Sequence, residues 1–81
     1  MQGEDRIRRL RWLCRRGMKE LDVLLGSFLE SNLDSLKSGS WERFEAFLDQ
    51  EDDLIWRWLQ KIETPDTDEF QSLTDAIRDA A

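Results

Sequence analysis

Apolar residues recur at helical spacing from Ile7 through Leu10, Leu13 and Cys14, with arginines filling the positions between them, and this pattern predicts a first amphipathic helix. Arg15 and Arg16 fall in its last turn, where cations meet the negative end of the helix dipole, and Gly17 stands where such a helix stops. From Met18 the apolar positions are Leu21, Leu24, Leu25, Phe28 and Leu29, the strongest amphipathic pattern in the chain and the predicted centre of the core. Gly26 inside this second helix costs ~1 kcal/mol relative to alanine, a cost that close approach of a neighbouring helix would offset.

The stretch "SNLDSLKSGS", Ser31 to Ser40, reads as a turn-rich connection. Ser38 or Ser40 can then cap a third helix bearing Trp41, Phe44, Phe47 and Leu48 on one face, with Glu42 near its positive end. Asp49 to Asp53 offer N-caps for a fourth helix with the stripe Leu54, Ile55, Trp58, Leu59 and Ile62. After Pro65, Asp66 and Glu69 have capping-box spacing for a last helix carrying Phe70, Leu73 and Ile77. No stretch alternates with the period of a strand. The expected fold is all-α: five short helices in one compact domain spanning residues 1–81.

Charge adds a polarity that the hydrophobic pattern does not show. Residues 1–19 hold seven Arg or Lys against Glu4 and Asp5, a balance of +5, so a total of −6 leaves −11 on the remainder. A basic end on an acidic body can orient the molecule on a partner with an acidic patch, and the alternative is a solvated arginine-rich helix face. The single cysteine, Cys14, allows no intramolecular disulfide and fits a reducing compartment. The start "MQGEDRIRRL" has no apolar signal region, and its acids sit badly in a transit peptide. A cytoplasmic protein is therefore expected, with the mitochondrial matrix open only to a chain whose presequence has been removed. No apolar run approaches the ~18 residues of a membrane span, so no membrane insertion is expected.

The side-chain inventory argues against an enzyme. Histidine and tyrosine are absent, which removes the commonest general base, the commonest metal ligand and any Ser-His or Cys-His pair. The four glycines are scattered singly, so there is no phosphate-cradling loop. Asp52 and Asp53, at the start of a helix, read as caps and dipole partners. Cys14 lies on an apolar stripe and reads as a buried, inert thiol, though its neighbouring arginines keep a reactive one open. Trp41 and Trp58 belong to apolar faces, whereas Trp12 falls off its stripe, either exposed as a binding residue or packed on another helix.

The stretch "RRGMKELD", Arg15 to Asp22, admits two readings. In one, Gly17 ends a helix and Glu20 complements the first turn of the next. In the other, the missing side chain at Gly17 lets a partner backbone approach between Arg16 and Glu20 as flanking charges of opposite sign. Arg16, Gly17 and Glu20 stand as an RGxxE motif within "RIRRLRWLCRRGMKELDVLLGSFLE", followed by "FEAFLD" and "DLIWRWL". With these features the chain closely resembles the SdhE family, small flavinylation factors for succinate dehydrogenase, from about Arg6 to Ile77. One departure is the acidic turn "QEDDL", which lacks the proline that many relatives carry.

The resemblance implies a five-helix assembly factor with no stably bound cofactor of its own. Such a factor binds the flavoprotein subunit of succinate dehydrogenase, and often that of fumarate reductase, and promotes covalent attachment of FAD to a histidine of that subunit. A chain without histidine cannot itself carry such a linkage. The resemblance places the family motif at Arg16, Gly17 and Glu20; the partner-binding surface is expected to centre there with Arg9, Trp12, Arg15 and Asp22 around it, and the free protein is expected to be a monomer. The other readings are a nucleic-acid binder using the arginine-rich first helix, which an acidic remainder opposes, and a generic helical adaptor.

Overall fold

The computed structural model describes residues 2–80, and six helices follow one another: α1 (Gln2–Leu13), α2 (Lys19–Ser31), α3 (Leu33–Lys37), α4 (Phe44–Leu48), α5 (Asp52–Leu59) and α6 (Asp68–Ala80). No strand occurs among the described residues, so the all-α expectation holds while the number of helices is corrected from five to six. The additional element, α3, lies in the stretch read as a connection. It buries Leu36 completely and packs against α1. Gly39, with φ +99°, closes it: the Gly39 and Ser40 amides donate to the Leu36 and Ser35 carbonyls, the paired bonds of a Schellman ending.

α1 begins at Gln2 rather than near Ile7, with Glu4 and Asp5 in its first turn where the dipole favours acids. Gly3 lets this turn meet α3 closely, since a Cβ there would stand 3.0 Å from the Lys37 carbonyl oxygen. At Gly26 a Cβ would meet nothing within 4 Å, so the close helix contact expected there is corrected and located at Gly3 instead.

The third predicted helix is shorter than its apolar pattern. Trp41 lies in a turn at φ +57°, outside α4, and no side chain caps that helix. Trp41 is held by an edge-on contact to Phe28, centroids 5.4 Å apart, and by Arg6, whose Nη2 donates to its carbonyl at 2.8 Å. α5 ends at Leu59, before Ile62, because Lys61 takes the left-handed conformation at φ +62°. Lys61 and Ile62 amides then donate to the Trp58 and Arg57 carbonyls, and Ile62, expected in the core stripe, is expelled to solvent with 72% of its surface exposed. For α6 the cap is Thr67, whose Oγ1 accepts from the Phe70 amide at 3.2 Å, and the expected Asp66–Glu69 box is thus displaced by one position.

The core runs as a chain of aromatic rings from Phe28 through Phe44 to Phe47, which meets both Trp58 and Phe70 at 5.5 Å. Each such pair contributes roughly 0.5–1.5 kcal/mol beyond its buried area. α2 and α5 both pack on α6, which places the second predicted helix at the centre as its pattern required. The Cα radius of gyration is 11.8 Å, against about 12 Å for a compact single domain of this length. No helix among the described residues is long and apolar enough to cross a membrane.

Candidate functional site

α1 and α2 meet at a corner built from residues 14–18. The Cys14 and Arg15 amides close the end of α1 on Leu10 and Trp12, so Arg15 and Arg16 lie beyond that helix and not in its last turn. Gly17 follows at φ +83°, a conformation that residues with a side chain adopt at a cost. Half-buried Met18 returns to extended geometry as the N-cap of α2 and accepts the Asp22 amide at 2.9 Å. Glu20 occupies the first turn of α2, as expected, and Asp22 lies in it too.

Arg16 holds this corner from inside. Its Nε donates to Asp52 Oδ1 at 2.7 Å, Nη1 to the Leu13 and Leu48 carbonyls at 2.8 and 2.6 Å, and Nη2 to the Gln50 carbonyl at 2.8 Å. Its own amide donates to Asp22 Oδ1 at 2.6 Å. Only 12% of the side chain is exposed, so the expectation that Arg16 flanks Gly17 as a free positive charge is corrected. The reason is that the carbonyls of Leu13, Leu48 and Gln50 converge beside the Asp52 carboxylate, and one guanidinium supplies five donors in a fixed fork to meet them. Asp22 is likewise engaged within the corner, through the Arg16 amide.

The outer face is what remains. Arg15, Gly17, Lys19 and Glu20 are exposed there, with Arg9 and Trp12 on the outer side of α1, Trp12 at 72% exposure. Arg9, Arg15, Lys19 and Glu20 form no ion pair among the described residues. At Gly17 an added Cβ would meet nothing within 4 Å, so the corner is open for close approach from outside. Val23 and Lys19 also belong to this exposed surface and were missed in the sequence, although both lie off the apolar stripe of α2 and its period could have flagged them. Asp52 was missed as a partner of the corner, and no local signal could have shown it, because it lies 36 residues from Arg16.

Behind the corner a groove of about 450 Å³ runs between α1 and α2, over Cys14 and Gly26 and past Arg15 and Asp22. Burial pushes the Cys14 thiol up to about 12, against the weaker opposing pull of the Arg16 charge, while Asp22 adds slightly to the rise. This thiol is a packing group, in line with the inert reading of its stripe. Among the described residues no group of three potential ligands is placed to hold a metal ion.

The family model described as the flavinator of succinate dehydrogenase matches residues 8–81, which include the whole corner and all of α2 to α6. The chain belongs to this family. Among relatives of the flavinator family, the FAD assembly factor SdhE of Coxiella burnetii is 42% identical over 71 residues, covering 88% of this chain and 87% of its own. The FAD assembly factor SdhE of Xylella fastidiosa is 39% identical over 78 residues, covering 96% and 80%. That of Yersinia pseudotuberculosis is 32% identical over 74 residues, covering 91% and 84%. No solved structure matches the chain significantly.

Proposed function

We propose that this flavinator-family chain is an assembly factor, not an enzyme, that binds the flavoprotein subunit of succinate dehydrogenase in the bacterial cytoplasm and promotes covalent attachment of FAD to it. The flavoprotein of fumarate reductase is a second client of the same kind. The observation that carries this reading is the exposed corner: a glycine at φ +83° with open space above it, beside exposed Trp12 and beside Glu20, Arg15 and Arg9, which form no ion pair among the described residues. The relatives' shared designation as FAD assembly factors supports it.

The corner contributes by positioning. It supplies no general base and needs no stably bound cofactor, and the free chain acts as a monomer. Holding an acceptor side chain and flavin in a near-attack arrangement is worth several kcal/mol, of order 7–11 at the extreme, while the bond-forming chemistry remains with flavin and client. The charge pattern favours a protein partner over nucleic acid. Of the seven cations in residues 1–19, Arg6, Arg8, Arg11 and Arg16 are bound to acids of this chain, leaving few to neutralise phosphates.

In-gel flavin fluorescence of the denatured flavoprotein tests this, in cells with and without the chain. The expected result is a strong loss of covalent flavin without it, and the same loss with Glu20→Ala or Gly17→Arg at normal chain levels. Equal fluorescence in the absence of the chain overturns the reading.

A further inference from the structure

Arg16 binds five oxygens that come from four places: its own helix end at Leu13, the α4–α5 connection at Leu48 and Gln50, the start of α5 at Asp52, and α2 at Asp22. Two of these are carboxylates and the rest are carbonyls. Asp52 alone supplies a full charge to the guanidinium, while Asp22 grips the Arg16 backbone instead.

Asp52 stands in the first turn of α5, where an acid complements the helix dipole whether or not it touches anything else. Its neighbour Asp53 occupies the same turn, is exposed, and pairs with no cation among the described residues. The two therefore share the dipole role, and of them Asp52 is the one that is partly buried and contacts Arg16. Asp52 remains 38% exposed at the side chain and Arg16 only 12%, so the contact is a lid of charge over an arginine otherwise sunk among carbonyls.

We propose that Asp52 is a positioning residue for flavin attachment: through the Arg16 guanidinium it fixes the direction in which Gly17 and Glu20 leave the end of α1, and so presents the docking corner preformed. This inference rests on the function proposed above. Without Asp52 the guanidinium keeps its carbonyls but loses its only charged partner, and the turn at residues 14–18 samples other geometries. Client binding can still select the productive one, so the deficit falls on the concentration needed and not on the maximal rate.

The experiment compares wild type, Asp52→Ala, Asp52→Asn and the control Asp53→Ala by flavin attachment to the purified immature flavoprotein with FAD. Each is titrated with folded chain, and amide exchange is followed across residues 14–19. For Asp52→Ala the half-maximal concentration rises about tenfold with the maximum unchanged, and exchange at the Arg16 amide quickens while the α2 and α6 interiors keep their protection. Asp52→Asn, which retains an oxygen acceptor but no charge, recovers only part of the loss, and Asp53→Ala behaves as wild type. If Asp52→Ala does not fold, Asp52→Asn decides alone through a smaller rise with local exchange.

Equal titration curves for wild type and the Asp52 variants overturn the inference alone, as does an equal loss in Asp53→Ala, which would be a dipole effect. A wild-type chain that leaves the attachment rate unchanged overturns the proposed function itself. In that case unchanged exchange at residues 14–19 in Asp52→Ala would also remove the structural half of the inference.

Discussion

Gly17 carries two demands that a substitution can separate. Its φ of +83° penalises any side chain, while the space above it is empty within this chain. Gly17→Ala is expected to cost about 1 kcal/mol in thermal unfolding, the cost of left-handed backbone. Gly17→Leu carries the same backbone cost, its Cβ likewise meeting nothing within 4 Å, yet should lose far more flavin attachment; equal losses of attachment would place the defect in the backbone instead.

Cys14 answers a second question at this scale. With its thiol pushed up to about 12 by burial, it should resist alkylation at pH 8 in the folded chain and react once denatured. The linkage sign follows: a raised folded value stabilises fully below the unfolded value, and that contribution fades as pH climbs from about 9 toward 12. Rapid labelling of folded protein would contradict the burial. The inert character was legible in the sequence because it followed from a stripe of neighbours three and four residues away. The inward turn of Arg16, one residue from exposed Arg15, was not.

Among the elements, agreement with the hydrophobic pattern was good in the interior of each helix and poor at the ends. The reason is that apolar periodicity reports a buried face, whereas an ending is a local hydrogen-bonding event. Ile62 continued the α5 stripe by spacing, but the left-handed Lys61 turned the chain away first. In α3 the signal was present and short: Leu33 and Leu36 three apart, followed by Gly39 as the ending residue. Five residues of helix form only by packing on α1, because isolated helices of that length do not nucleate in water. Lys61→Gly is expected to raise stability by about 1 kcal/mol, or ~4–8 °C in Tm, by removing the left-handed penalty without losing a contact. A melting temperature that falls would show that the Lys61 side chain contributes more than its backbone costs.

Across the whole molecule, two arginines of the basic N-terminal segment act as internal fasteners. Arg16 joins α1 to the α4–α5 connection, and Arg6 joins α1 to α4 through Glu45 Oε2 at 2.9 Å and to the Leu36, Ser40 and Trp41 carbonyls. Arg6→Ala would take the guanidinium from the Ser40 carbonyl and the half-buried Glu45 carboxylate and remove one of two donors from each of the Leu36 and Trp41 carbonyls, at an expected cost of about 2–4 kcal/mol by denaturant unfolding. The hydrogen bonds from Arg6 hold the Glu45 carboxyl below its usual range, outweighing the opposing effect of burial. That contribution is present above the ordinary glutamate value and is lost as pH falls through the depressed one, so wild type should lose stability on acidification below about pH 4.5 more steeply than Arg6→Ala. Parallel acid unfolding curves would remove Glu45 from that account.

The amino-acid order by itself determined that the chain is helical, which faces are apolar, where the chain turns at Gly17 and which side chains are available for chemistry. All of these depend on neighbours within a turn or two. Only the tertiary structure decided which charges of the basic segment are free to meet a partner. Arg6 and Arg16 find their acids 39 and 36 residues away, whereas Arg9 and Arg15 form no ion pair among the described residues. Packing alone brings such distant groups within 3 Å of one another, and a guanidinium that desolvates at the edge of a core is retained only where a carboxylate and several carbonyls already converge.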